Sequence, residues 1–439
     1  MKFGTDGVRG IAHEELTTEF AARLARAASR VLGAQGCRTV VVGGDTREST
    51  PAFVAALTEG FTASGVDVVD LGVVPTPMVA FEAQRTGSMG AMVSASHNAF
   101  QDNGIKLFAP GGTKLFDDVQ ASIEAVLEST LADDGGHRAG VATTSSDTGA
   151  YVRHVLAVLD GRRLDGMTVV VDTANGAAVT VAPEALRAAG AEVIVIADDP
   201  DGRNINDRCG ATHPATVAAA VVDHGADAGI ALDGDADRLI AVDHLGRVVD
   251  GDHVLAICAE DLRARGALAH DTVVVTVMTN LGFRLAMNDA GIDVVETGVG
   301  DRYVLEALGA GGFSLGGEQS GHVIFAEHAT TGDGVLTALA LLDVVRRSGR
   351  ALADVAADSM TSLPQVLVNV RVARQVPDVA ERLADEIATA EADLGASGRV
   401  LVRASGTEPL VRVMVEAPTA EKARSTADSL AAAARRRFA

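Results

Sequence analysis

Three copies of the tetrapeptide TVVV, at residues 39–42, 168–171 and 272–275, each open the same succession of segments. A polar turn follows (GGDTR, DTANG or TVMTN), then an apolar helical stretch, then a glycine leading a second β-branched run: GVDVV at 65–69, GAEVI at 190–194 and GIDVV at 291–295. Apolar runs without polar alternation suit strands buried on both faces, and a helix between two of them is the crossover of a parallel sheet. The recurrence predicts three related α/β domains. A chain of 439 residues is also too long for a single core.

The remainder breaks the pattern. VLVNVRVAR from Val366, a helical stretch, RVLVRASGTEPLVRVMVEA and a closing Ala- and Arg-rich helix predict a smaller α+β domain with a half-exposed strand. Polar and Ser/Gly-rich joins place the domains at 1–148, 149–250, 251–364 and 365–439, around a shared central cleft.

Thirty-seven basic against fifty-nine acidic side chains give a net charge of -22, which repels phosphate backbones and argues against a nucleic-acid partner. A phosphate ester can still bind where cations gather. MKFGTDGVRG has no apolar leader and no later run is long enough to span a bilayer, so a cytoplasmic protein without a membrane partner is expected. Cys37, Cys209 and Cys258 are widely spaced and odd in number, as reduced thiols are.

Four segments carry chemistry. AMVSASHNAFQDNGIK, residues 91–106, leaves an apolar run and exposes Ser96 beside His97, with Lys106 further on. A serine hydroxyl is a weak nucleophile unless a base, a metal or developing charge assists it. In ALDGDADRL, Asp233, Asp235 and Asp237 alternate; on an extended chain these carboxylates share one side and can converge on one hard cation. A calcium loop of the EF-hand type fails here, since its sixth and twelfth positions would be Arg238 and His244 instead of Gly and Glu. GGEQSGH, residues 316–322, offers Glu318, Ser320 and His322 to sugar hydroxyls. RASGTE with Arg412 has the makings of an anion cradle: Arg403, Ser405, backbone around Gly406, Thr407 and a second guanidinium. Two further segments, GTDGVRG with Arg9 and DTREST with Arg47, could each meet an anion or be turns.

FGTDGVRG, SASHN with DNGIK, DGDADR, GEQSGH and RASGTEPLVRV, in this order and across all four domains, resemble the motifs of the α-D-phosphohexomutase superfamily. Asn204-Ile205-Asn206, the CGATH segment at 209–213 and the GEQSGH form of the sugar loop are similar to its glucosamine branch, with the glucose and mannose mutases as the alternative. The resemblance implies an isomerase that interconverts glucosamine 6-phosphate and glucosamine 1-phosphate, feeding UDP-GlcNAc and cell-wall precursor synthesis. It implies a phosphoserine at Ser96 and one Mg2+ held by Ser96, Asp233, Asp235 and Asp237. Arg9, His97, Lys106 and Arg238 would line the reacting centre, and Lys106 and His97 are both candidates for proton transfer. Glu318, Ser320 and His322 would contact the sugar, and Arg403, Ser405, Gly406, Thr407 and Arg412 the phosphate that is not reacting. A glucosamine 1,6-bisphosphate activator is implied, and a homodimer is admitted. Ala99 stands where the family has proline and Thr50 where glycine is frequent, so a looser serine loop is expected.

Overall fold

The computed structural model describes residues 3–4, 6–33, 36–129, 139–405 and 409–438. These form two compact units, one of residues 1–278 and 292–359, the other of 279–291 and 360–439. Within the described residues each TVVV run is a strand: β2, β7 and β12 below. Their valines are at most 3% exposed, as a strand covered on both faces requires.

The first sheet contains β1 (Val8–Ile11), β2 (Thr39–Gly44), β3 (Asp67–Val73), β4 (Met89–Val93), β5 (Asp102–Phe108) and β6 (Ala142–Thr144), in the order β1-β5-β4-β2-β3-β6. The second holds β7 (Thr168–Asp172), β8 (Glu192–Ile196), β9 (Ala228–Leu232), β10 (Leu239–Asp243) and β11 (Val248–Val249), in the order β11-β10-β9-β7-β8. The third is β13-β12-β14-β15, built from β12 (Thr272–Thr276), β13 (Asp293–Thr297), β14 (Leu315–Gly317) and β15 (Val323–Phe325). In each sheet the repeated strand pairs in parallel with the strand that follows its helix: β2 with β3, β7 with β8 and β12 with β13. The connecting helices are Thr50–Ala63, Val181–Ala189 and Leu281–Asp289.

The sheets are mixed, which the repeat alone does not convey. β5 lies antiparallel to β4 and β1, β10 antiparallel to β9, and β15 antiparallel to β14. These hairpins turn at the segments that carry the chemistry: residues 94–101 join β4 to β5, 233–238 join β9 to β10, and 318–322 join β14 to β15. The fold thus places three of the candidate segments at the same relative position in three repeats.

A fourth sheet, β16 (Gln365–Arg371), β17 (Arg399–Ala404) and β18 (Leu410–Glu416), is wholly antiparallel in the order β16-β18-β17 and belongs to the second unit. On β16, Val366 and Val370 are buried while Leu367 is 45% exposed, the half-covered strand expected. The helix Leu281–Asp289 falls in this unit too, with the Leu281 N–H donating to Glu416 Oε2 at 2.9 Å. Among the described residues, no helix is long and apolar enough to cross a membrane. All three cysteines are buried and free, and burial pushes Cys209 and Cys258 up to about 12.

Helix Gly334–Ser348 is capped by Asp333, whose Oδ1 accepts from the Val335 and Leu336 N–H groups, while the Tyr151 hydroxyl donates to Oδ2 at 2.9 Å. Burial pushes the Asp333 carboxyl up to about 6, only partly opposed by these donors. The native state therefore retains a proton that the unfolded chain releases near pH 4, and stability falls as pH rises from about 4 to about 6, by about 3 kcal/mol, and is flat above. Asp333→Asn keeps the acceptor and cannot ionise. Its melting temperature should exceed that of the wild type at pH 7 and converge with it near pH 4; parallel melting curves across that range would contradict the assignment.

Candidate active site

β4 is buried along its whole length and delivers the chain into the loop 94–98. There Ser96 adopts φ 52, the left-handed region that a residue with a Cβ seldom occupies. Strain of that kind persists where surroundings over-determine the backbone, and the surroundings are visible. The buried Arg47 guanidinium donates to Ser96 O and Asn98 O at 2.9 Å each, and also to Ala99 O. Asn206 Nδ2 donates to the same Ser96 and Asn98 carbonyls at 2.9 and 3.0 Å. The Ser96 N–H donates to Ser94 Oγ, which donates to Asp45 Oδ2 at 2.7 Å.

Arg47 is thus a strut beneath the serine loop, ion-paired to Asp45 at 2.8 Å with both side chains fully buried, and no longer available to an anion. It also supplies the fixation that proline would have given at Ala99, so the loop is held through its carbonyls instead of loosened. Arg47→Met leaves Asp45 and three carbonyls short of their donors. Breaking a buried pair from one side costs about 3–5 kcal/mol, so the thermal midpoint should fall by on the order of 10 °C; an unchanged midpoint would contradict the strut.

The Asp-rich segment meets this loop directly. Gly234 makes the approach possible, since a Cβ there would lie 2.5 Å from Ser96 O. Ser96 Oγ donates to Asp233 Oδ2 at 2.5 Å and lies 3.3 Å from His97 Nδ1. The three carboxylates converge, each offering an oxygen within 4.8 Å of the others, and all three residues are buried. They do so on a turn with Ala236 at φ 56, so a bend brings them together where an extended chain was expected.

Part of the neutralising charge comes from the chain itself. Lys106 Nζ lies 2.8 Å from Asp235 Oδ2, 3.0 Å from Asp237 Oδ2 and 2.8 Å from Asp6 Oδ2. Burial opposes its charge, but Asp235, Asp237 and Asp6 together hold the ammonium well above its ordinary range. Asp237 is likewise held below the carboxylate range, Lys106, His322 and Arg238 outweighing burial. Asp233 is not so served: burial, then Asp237 and Asp235, push it up to about 8. Asp235 Oδ1 and Asp237 Oδ1 are buried with no hydrogen-bond partner among the described residues. A cluster short of positive charge, with lone pairs left over on hard oxygens, fits a small divalent cation.

Around this centre stand Arg9, whose Nη2 lies 2.7 Å from Asp6 Oδ2, and Arg238, whose Nε lies 3.8 Å from Asp237 Oδ1. Burial, then Arg238 and Arg9, push His97 down to about 4, so its imidazole is neutral. A pocket of about 420 Å³ opens beside them, lined by Asp6, Arg9, Arg238, Gly300, Asp301 and Glu318 among others. Ser320 Oγ donates to Glu318 Oε2 at 3.3 Å, so both sugar-loop candidates adjoin this wall. His322 does not line it. The ring is 1% exposed, accepts from the Gly332 N–H on Nε2 at 3.0 Å, and turns Nδ1 toward Asp237 Oδ1 at 3.7 Å.

In the second unit Arg403 and Arg412 are directly paired across β17 and β18, like charges facing each other. Burial, then Arg412, lower the Arg403 pKa, and Arg412 Nε is buried without a hydrogen-bond partner among the described residues. Ser405 is buried beside them; Gly406 and Thr407 lie outside the described residues.

Several participants were not evident from sequence. Asp6, Lys114 and Asp301 form a half-buried chain in which Lys114 Nζ contacts Asp6 Oδ1 at 2.6 Å and also Asp301 Oδ2. Asn206 sits inside the NIN segment already noted, and Asp6 inside GTDGVRG, so their neighbourhoods were legible although their partners were not. Thr76, whose Oγ1 donates to Asp235 Oδ2 at 2.6 Å, carried no signal.

Four families described as phosphoglucomutase/phosphomannomutase match the chain: alpha/beta/alpha domain I over residues 1–133, domain II over 149–246, domain III over 250–363 and the C-terminal domain over 367–433. Phosphoglucosamine mutase of Rhodococcus jostii is 53% identical over 437 residues, covering 98% of each chain. That of Thermobifida fusca is 55% identical over 436 residues, covering 98% of this chain and 97% of its own. Among solved structures, a phosphoglucomutase/phosphomannomutase family protein from Burkholderia thailandensis superposes with a TM-score of 0.81 at 25% identity over 98% and 97% of the two chains. The Aspergillus fumigatus N-acetylphosphoglucosamine mutase, solved in complex with GlcNAc-6P and magnesium, shares the fold at a TM-score of 0.71 and 20% identity over 99% and 96%. With its four domains matched in order and relatives more than half identical along nearly its whole length, the chain belongs to the phosphoglucosamine mutases of the phosphoglucomutase/phosphomannomutase family.

Proposed function

We propose that this protein interconverts glucosamine 6-phosphate and glucosamine 1-phosphate through a phosphorylated Ser96. The observation that carries this reading is the serine hydroxyl 2.5 Å from Asp233 Oδ2, in a buried three-carboxylate cluster with two oxygens unpartnered among the described residues. A pure binding protein has no use for a hydroxyl so placed.

In the first half-reaction the P–Oγ bond of phosphoserine breaks, Oγ taking up a proton, as a bond forms from phosphorus to O1 of the sugar, whose proton leaves to a base; the second half-reaction returns the Oγ proton as Oγ attacks. The resulting 1,6-bisphosphate turns over in the site. Ser96 Oγ then attacks the 6-phosphorus, the P–O6 bond breaks, O6 takes up a proton and glucosamine 1-phosphate is released. His97, 3.3 Å from Ser96 Oγ, and Lys106, held as an ammonium, are the candidates for moving these protons.

Phosphoryl transfer needs positioning and neutralisation of spreading charge more than covalent help. Asp233, Asp235 and Asp237 would hold Mg2+ together with a Ser96 oxygen, and the ion supplies charge stabilisation at the transferring phosphoryl oxygens. Arg9 and Arg238 add fixed positive charge at the pocket. Glu318 and Ser320 would hold sugar hydroxyls, and His322 stands beside the carboxylates with Nδ1 3.7 Å from Asp237 Oδ1. Arg403, Ser405, Gly406, Thr407 and Arg412 would grip the non-reacting phosphate, which would relieve the repulsion between the two guanidiniums. A bisphosphate that escapes leaves Ser96 unphosphorylated, so added glucosamine 1,6-bisphosphate should restore activity. The product suits UDP-GlcNAc synthesis, and a charged sugar phosphate does not cross a bilayer unaided, so the enzyme would meet its substrate in the cytoplasm.

The test is isomerisation of glucosamine 6-phosphate by purified protein with Mg2+ and a trace of bisphosphate. Much faster turnover of glucose 1-phosphate would overturn the glucosamine assignment, and net phosphate release at a comparable rate would indicate a phosphatase.

A further inference from the structure

The carboxylate oxygens of the cluster differ in which of them protein donors occupy. Asp235 uses Oδ2 for protein donors, accepting from Thr76 Oγ1 at 2.6 Å and Lys106 Nζ at 2.8 Å, and leaves Oδ1 buried and unpartnered among the described residues. Lys106 divides itself among Asp235, Asp237 and Asp6, with three donors on the end of a flexible four-carbon stem. Thr76 acts differently. Its backbone N–H donates to Asp235 O at 3.0 Å while its hydroxyl holds Oδ2, so one residue fixes both the main chain and the side chain of Asp235. Both residues are wholly buried, and Thr76 opens the helix Thr76–Thr86, whose first N–H groups have no partner within the helix.

We propose that Thr76 is a positioning residue for the divalent cation: its hydroxyl occupies Asp235 Oδ2 and thereby directs Oδ1 into the metal site. It joins the helix Thr76–Thr86 of the first domain to the carboxylate turn of the second, so affinity for the ion depends on how the two domains are assembled. Without the hydroxyl, Asp235 turns about its terminal torsion to share both oxygens with Lys106, and the lone pair aimed at the cation is lost. The effect belongs to binding and not to the reacting atoms. Outer-shell partners of this kind change metal affinity by about 10–100-fold.

This inference rests on the metal role proposed above for the three aspartates, and a binding measurement on chelator-stripped, full-length protein tests the two separately. Mn2+ binding is followed by the loss of free-ion electron paramagnetic resonance signal in wild type, Thr76→Val, Thr76→Ser and Asp235→Asn. Valine matches the shape of threonine and keeps the N–H; serine keeps the hydroxyl. Thr76→Val should bind Mn2+ about 10–100-fold more weakly, with Thr76→Ser close to wild type; both should remain folded in chelator, the valine variant melting somewhat lower because Asp235 Oδ2 loses one of its two donors. If Thr76→Val is poorly folded, Thr76→Ala against Thr76→Ser makes the same comparison. Equal affinity with and without the hydroxyl, or a serine variant as weak as the valine one, overturns the positioning role. Equal affinity in wild type and Asp235→Asn would overturn the metal site itself.

Discussion

Ser96→Ala is expected to lose mutase activity by on the order of 10^3-fold or more, because the proposed relay passes a phosphoryl group through the Ser96 oxygen at every turnover and the nearby Ser94 hydroxyl is engaged with Asp45. Intact-protein mass spectrometry should find a population heavier by one phosphate in the wild type, mapped to Ser96 and missing from the variant. Folding should survive. The loop is held through the Ser96 carbonyl and N–H by Arg47, Asn206 and Ser94, and none of those bonds uses the Ser96 side chain. An alanine variant that retained wild-type turnover would end the relay proposal.

Asp235→Asn carries the second large effect. An amide removes one of three negative charges and presents a weaker ligand, so cation affinity and activity should fall together, activity by about 10^2–10^4-fold if the ion supplies several kcal/mol at the transition state. Stability in chelator should not fall in proportion. The amide oxygen can still accept from Thr76 and Lys106, while Lys106 keeps Asp6 and Asp237. Calorimetric titration with Mg2+ and thermal unfolding in chelator check both halves; full activity of Asp235→Asn with chelator present would remove the metal from the mechanism.

The repeats were legible because the information is local. Three valine runs followed by helix and strand specify parallel pairing wherever they occur, and β2–β3, β7–β8 and β12–β13 pair accordingly. The antiparallel strands that complete each sheet were harder to read. β14 and β15 have three residues each, too few for a period to register. The same division holds at the site. Three aspartates within five residues point to a cation by themselves, whereas what surrounds them comes from pairing over long separations: Thr76 is 159 positions from Asp235 and Arg47 is 49 from Ser96. Arg47 shows the limit most clearly, since an arginine between a strand and a helix reads as well for an anion site as for a strut. Only the three carbonyls it reaches decide the matter.

The left-handed backbone at Ser96 sets chemistry against stability at one position. An L-residue there costs roughly 1–2 kcal/mol relative to glycine, for which that region is ordinary. Glycine at 96 would relax the loop and leave nothing for a phosphoryl group to join. The first domain therefore keeps a left-handed non-glycine backbone at the residue proposed to carry its reactivity, and substitutions that make this loop easier to fold should be sought among inactive variants.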